Sequence, residues 1–161
     1  MRLLIGHELV KALAEFGLNI DPYHDFEFDT VKDNVMESPF DHQTQQDIGD
    51  RQVIALMCVG GFTSSLLARA MQNYFDQHQL PYYVMYSAVT LLSTPSFLED
   101  FGRKVSLVML SPQVHYHFDE AKQALSFYDI PVRKIDKQDY CQIDYQRVSE
   151  VALDNLRLIS V

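Results

Sequence analysis

The chain has 161 residues, 47% of them apolar and 22% charged, which suits one packed core and excludes a disordered chain. A net charge of -9 with no basic run excludes a nucleic-acid-binding stripe and argues against tight binding to an anionic bilayer. The two cysteines, Cys58 and Cys141, point to a reducing compartment, and no apolar run reaches the roughly 18 residues that a membrane helix needs.

Leu3, Leu4, Leu9, Val10, Leu13 and Phe16 recur at helical spacing, and Gly17 stops that helix. Asn19 to Asp50 reads as an extended, polar, acidic linker with Pro22 and Pro39 and no sustained period. Residues 1–50 are therefore expected as an N-terminal helix plus linker, and residues 51–161 as the folded domain. From Gln52 onward strand and helix signals alternate. Strands are expected at Val53–Met57, Tyr82–Ser87, Val105–Leu110 and Val132–Ile135. Helices are expected at Ser64–His78, Pro95–Phe101, Gln113–Tyr128 and Tyr145–Leu156. Thr94 ahead of Pro95, and Ser111 ahead of Pro112, have the residue types of helix caps. Apolar strands separated by helices predict an α/β fold, a four-stranded parallel sheet with helices on both faces. Ligands of such sheets bind beyond the carboxyl ends of the strands, a rim that would carry Cys58, Ser111 and Asp136.

The stretch Arg51 to Met71 holds the chemistry. An apolar strand ends at Cys58; Gly60 and Gly61 follow, then Thr63, Ser64 and Ser65, then a helical pattern from Leu66 and Leu67. A strand, a glycine turn and a helix start aim free backbone N–H groups and the positive end of a helix dipole at one point. That is a phosphate cradle over Val59, Gly60, Gly61, Phe62, Thr63, Ser64 and Ser65, with the candidate nucleophile Cys58 at its edge. Such a setting favours the thiolate, the reactive form of a cysteine. Thr63 as a simple helix cap is compatible with this, because capping and phosphate binding use the same donors. A cysteine phosphatase needs an arginine six residues after the nucleophile to grip phosphate bidentately. Ser64 stands there, and the nearest basic residue is Arg69, so the loop suits transfer of a phosphoryl group over its hydrolysis.

Other candidates have structural readings. Cys141 follows Tyr140 in a loop with no cradle beside it. His115 and His117, at i and i+2 on a helix, point to different faces, so no metal site and no cofactor are expected. Asp136 and Asp144 are not an acid–base pair by spacing, and Asp136 suits a turn or cap at a strand end. Tyr82, Tyr83 and Tyr86 fit a strand at the domain edge.

From about Val53 to its C-terminus the chain resembles the enzyme IIB proteins of the bacterial phosphoenolpyruvate-dependent sugar phosphotransferase system, in the lactose/chitobiose (cellobiose) family. Cys58, Gly60, Gly61, Thr63, Ser64, Ser65, Leu66 and Leu67 match its cysteine loop. Pro112, Gln113 and Tyr116 match a Pro-Gln-x-x-Tyr element, and Asp136 with Tyr140 matches a D-x-x-x-Y element. The resemblance implies a phosphoryl relay: Cys58 accepts phosphate from a phosphohistidine of enzyme IIA and passes it to a sugar bound by the membrane protein enzyme IIC. It implies rim and partner contacts at Pro112, Gln113, Tyr116, Asp136 and Tyr140, and a cytoplasmic protein peripheral to the membrane through enzyme IIC. Phe62 replaces a common methionine, Cys141 a common glycine, and Tyr86 to Ala88 lacks a common acidic residue. Residues 1–50 have no counterpart in a free-standing family member and suggest fusion. The alternative is a IIB-like regulatory module in which Cys58 is phosphorylated as a signal.

Overall fold

Gln52–Cys58 (β1) is buried at every position after the first, from Val53 to Cys58. A strand with both faces covered must lie inside its sheet, with elements above and below it. The computed structural model, which describes residues 40–59 and 62–159, shows that arrangement. The expected helix over Leu3 to Phe16, most of the expected linker, and Gly60 and Gly61 lie outside the described residues.

The described chain runs α1 (His42–Ile48), β1, α2 (Phe62–Gln77), β2 (Tyr82–Ala88), a 3-10 segment (Val89–Ser93), α3 (Pro95–Lys104), β3 (Val105–Leu110), a 3-10 segment (Pro112–His117), α4 (Phe118–Ser126), β4 (Val132–Lys134), α5 (Lys137–Cys141) and α6 (Tyr145–Ile159). The sheet order is β2-β1-β3-β4 and every pair is parallel. Side chains alternate across the sheet with period two. Val53, Ala55, Met57, Val108 and Leu110 therefore share one core layer with Phe97 and Phe101 of α3 and Ala121 and Leu125 of α4. Ile54, Leu56, Leu107 and Met109 face the other layer, with Leu67, Met71 and Phe75 of α2 and Val148, Ala152 and Leu156 of α6. This is the expected four-stranded parallel α/β fold.

The edges are handled by polar groups. Gln72 of α2 reaches the open side of β2, its Nε2 donating to Tyr82 O at 2.9 Å and its Oε1 accepting from Val84 N at 2.8 Å. On β4 the exposed residues are Arg133 and Lys134, charges that discourage further pairing.

Three expectations need correction. His42–Ile48 is a helix inside the stretch read as an extended linker. Asp41 caps it by accepting from Thr44 N at 2.7 Å, and Gly49 closes it at φ +57. Arg51 then donates from Nε to Ile48 O at 3.2 Å and also to Asp47 O, meeting the negative end of the helix. Phe40 and Ile48 are buried in the first core layer. Second, the helix expected at Gln113–Tyr128 begins as a 3-10 segment, because Val114 at φ -119, ψ 18 leaves the helical region. His115 sits half-buried there with its Nε2 3.2 Å from Leu110 O. Third, Thr94 and Ser111 occupy cap positions, with Pro95 and Pro112 next, but neither side chain makes a capping hydrogen bond.

A candidate phosphoryl site at the carboxyl edge of the sheet

The crossing order fixes where a crevice opens. From β1 the chain passes along α2 to β2 on one side, then returns over α3 on the opposite face to β3 on the other side of β1. The connections diverge between β1 and β3, and the carboxyl ends of that strand pair are where open α/β sheets bind ligands.

Cys58 ends β1 at this point and is 2% exposed. Its Sγ lies 3.8 Å from Ser87 O on β2, a long contact in which the thiol donates. On the β3 side, Met57 pairs with Leu110, and Ser111 N donates to Met57 O at 2.9 Å, so the register continues one residue beyond the strand. Ser111 thus stands beside Cys58. By alternation both side chains share the face of Leu56 and Met109, the face toward α2. Ser111 is 1% exposed, and its Oγ has no hydrogen-bond partner among the described residues. An orphaned buried hydroxyl of this kind costs about 1–3 kcal/mol.

Only Val59, Gly60 and Gly61 separate Cys58 from Phe62, the first residue of α2. A turn this short brings the helix N-terminus, with its unsatisfied N–H groups, close to the end of the strand. Val59 is exposed, and Thr63 and Ser65 are half-buried, each with a partner of its own. Ser64 is fully buried and its Oγ is 2.9 Å from the hydroxyl of Tyr140, one donating to the other. That bond joins the first turn of α2 to α5.

Of the rim residues expected after the third strand, Tyr116 and Gln113 are exposed and Pro112 is half-buried. Asp136, expected as a turn or cap residue, is the N-cap of α5, its Oδ1 accepting from Gln138 N at 2.9 Å and Asp139 N at 3.1 Å. It lies past β4, one strand beyond Ser111, where Ile135 N meets Leu110 O at 2.8 Å. An open cleft of about 450 Å³ there is lined by Asp136, Lys134, Asp144 and Arg147 but not by Cys58. Tyr140, expected as a contact on the rim, is instead 2% exposed and packed in the second core layer. Arg69 is exposed on α2. Cys141 is exposed in α5 instead of a loop, and no group of three metal-binding side chains occurs among the described residues. No described helix is long and apolar enough to cross a membrane. Sequence reasoning placed Ser111 on the ligand rim with Cys58 and Asp136 and gave it the residue type of a cap; its register directly beside Cys58 comes from the strand pairing, which the sequence alone does not contain.

No family model matches the chain. It is 25% identical over 128 residues, 80% of its length, to a protein of Staphylococcus epidermidis described as the PTS system lactose-specific EIICB component. It is 27% identical over 111 residues, 69% of its length, to a Staphylococcus haemolyticus protein of the same description. The chain spans about a fifth of the length of these curated relatives, 21% and 18%. In fold it is similar to the lactose-specific IIB component domain of the phosphoenolpyruvate:carbohydrate phosphotransferase system from Streptococcus pneumoniae, with a TM-score of 0.55 at 18% identity, covering 65% of this chain and 96% of that one. It is similar also to a cellobiose-specific phosphotransferase IIB component protein of Borrelia burgdorferi, with a TM-score of 0.54 at 19% identity, covering 68% of this chain and 94% of that one. In sequence the chain is thus similar to lactose-specific EIICB components, and in fold to lactose-specific and cellobiose-specific IIB components.

Proposed function

We propose that this chain is the phosphoryl carrier of a sugar phosphotransferase system, taking phosphate from a phosphohistidine of enzyme IIA onto Cys58 and passing it to a sugar held by membrane enzyme IIC. The observation that carries this reading is the position of Cys58 at the carboxyl end of β1, beside the switch between β1 and β3, with α2 starting at Phe62.

In the first step the Cys58 thiolate attacks phosphorus in line. The S–P bond forms, the N–P bond of the phosphohistidine breaks, and its electron pair stays on the imidazole nitrogen, which takes up a proton. In the second step a sugar hydroxyl attacks phosphorus, the O–P bond forms and the S–P bond breaks. Its electron pair returns to Cys58 as thiolate, and the hydroxyl proton leaves to the medium. Chemistry of this kind is positioning and charge stabilisation. The backbone N–H groups over Val59 to Ser65, with the hydroxyls of Thr63 and Ser65, are suited to the phosphoryl oxygens. Near-complete burial of Cys58 suits a relay, since it limits access of water to the thiophosphate. Exposed Tyr116 and Gln113 suit contact with partner proteins, and Asp136 can contribute from the surface of α5. The protein would work in the cytoplasm, at the membrane through enzyme IIC, with residues 40–50 as part of the carrier domain.

The test is transfer from phosphorylated enzyme IIA of the lactose/cellobiose family, with the site located by mass spectrometry under conditions that preserve thiophosphate. Label on the wild type and on Cys141→Ser, and its loss in Cys58→Ser, is the expected result. No label from several competent donors sinks the transport reading and leaves a regulatory relative.

A further inference from the structure

The geometry points to Ser111 as a catalytic residue of this carrier: its hydroxyl donates to a phosphoryl oxygen on Cys58. The inference rests on the phosphocysteine reading and adds to it a group from a different strand, outside the cysteine loop.

Three observations carry it. Ser111 continues the pairing of β3 with β1 through its N–H bond to Met57 O at 2.9 Å, which sets it level with Cys58. Its backbone, at φ -64 and ψ 156, is still extended, so the alternation along β3 holds and the side chain lies on the same face as that of Cys58. Its Oγ is at 1% exposure without a hydrogen-bond partner among the described residues. Buried hydroxyls are rarely left this way, and an orphan beside a nucleophile is a donor waiting for an acceptor. An O–H donor to a charged oxygen is also among the stronger hydrogen bonds. Neighbouring strands lie about 4.8 Å apart, which places an oxygen acceptor two bonds beyond the sulfur within reach of a serine hydroxyl. The other flank of Cys58 offers no such group, because Ala88 is its partner on β2. No bond to Ser111 is made or broken; it holds charge on the oxygens while phosphorus moves from nitrogen to sulfur.

Ser111→Ala removes only the hydroxyl. Wild type and variant would be phosphorylated side by side by phosphorylated enzyme IIA, reading the initial rate, the partition of phosphate at equilibrium, and thermal melting. The expected result is a rate about tenfold lower, or more, and a partition shifted toward the donor by a similar factor. Melting should be unchanged or raised, since an orphan hydroxyl is gone. A labelled wild type with an equally fast and equally loaded variant overturns the role of Ser111 and leaves the carrier reading intact. A variant that melts well below wild type assigns the hydroxyl to the fold and also overturns it. A wild type that takes no phosphate brings down the carrier reading, and this inference with it.

Discussion

Tyr140 and Ser64 are separated by 76 residues in sequence and by 2.9 Å in space. One hydroxyl from α5 thereby fixes the first turn of α2, the turn that follows Cys58. Tyr140→Phe keeps the ring in its core position but leaves Ser64 Oγ buried without that partner. The expected loss is about 1–3 kcal/mol, with Ser64→Ala in the same background recovering part of it. Denaturant midpoints of the three chains check this, and a Tyr140→Phe chain as stable as wild type would show that the bond contributes nothing. The D-x-x-x-Y spacing located both residues correctly after the fourth strand but could not orient them. Asp136 caps a five-residue helix from outside, while the tyrosine one turn later points inward. Which side of so short a helix meets the sheet depends on packing against α6, and no local pattern encodes that.

At the scale of the element, α1 shows what periodicity can miss. Seven residues with only Ile48 buried carry no apolar stripe, so the helix is invisible to a search for 3.6-residue repeats. Its signals are at its ends, Asp41 three residues before Thr44 and Gly49 after Ile48. The strands were the opposite case. Val105 to Leu110 is an apolar run broken only by Ser106, between Arg103-Lys104 and Ser111-Pro112, and its limits are those of β3. The cap of α1 also predicts a pH response. The bond from Thr44 N–H holds the Asp41 carboxyl below its ordinary value of 3.8. A lowered carboxylate contributes stability above that value and loses it as the pH falls through the lowered one. Asp41→Asn can still cap but does not titrate there. Between pH 6 and pH 2.5 the wild type should lose stability relative to Asp41→Asn, measured by denaturant titration at each pH. Curves that stay parallel would remove the carboxylate from the account of α1.

For the whole molecule, the core determines where the domain starts. Phe40 is 3% exposed and Ile48 7%, both in the layer formed by α3, α4 and one face of the sheet. A chain starting at residue 51, the boundary that composition suggested, leaves that layer uncovered. Two large apolar side chains are worth about 3–6 kcal/mol of burial, offset by the ordering of a short helix. A chain starting at residue 37 should therefore unfold at a higher denaturant midpoint than one starting at residue 51. Equal stabilities would make α1 a passenger. The sheet, its helices and the place of Cys58 at a strand end were readable because burial on both faces leaves its mark on the residues of the central strands β1 and β3. The neighbour of Cys58 was not, because β1 and β3 meet only after the chain has gone out to β2 and come back.

The side chain of Gln72 bears on the solution behaviour of the molecule. By occupying Tyr82 O and Val84 N it stands where the first bonds of a next strand would form. The opposite side is closed by charge. A carrier of the kind proposed, meeting two partners in turn, would need exposed surface at its rim, and exposed surface invites self-association. Encounters between copies along either flank thus meet an occupied or charged stretch of edge, which makes the sheet a poorer template for fibre growth.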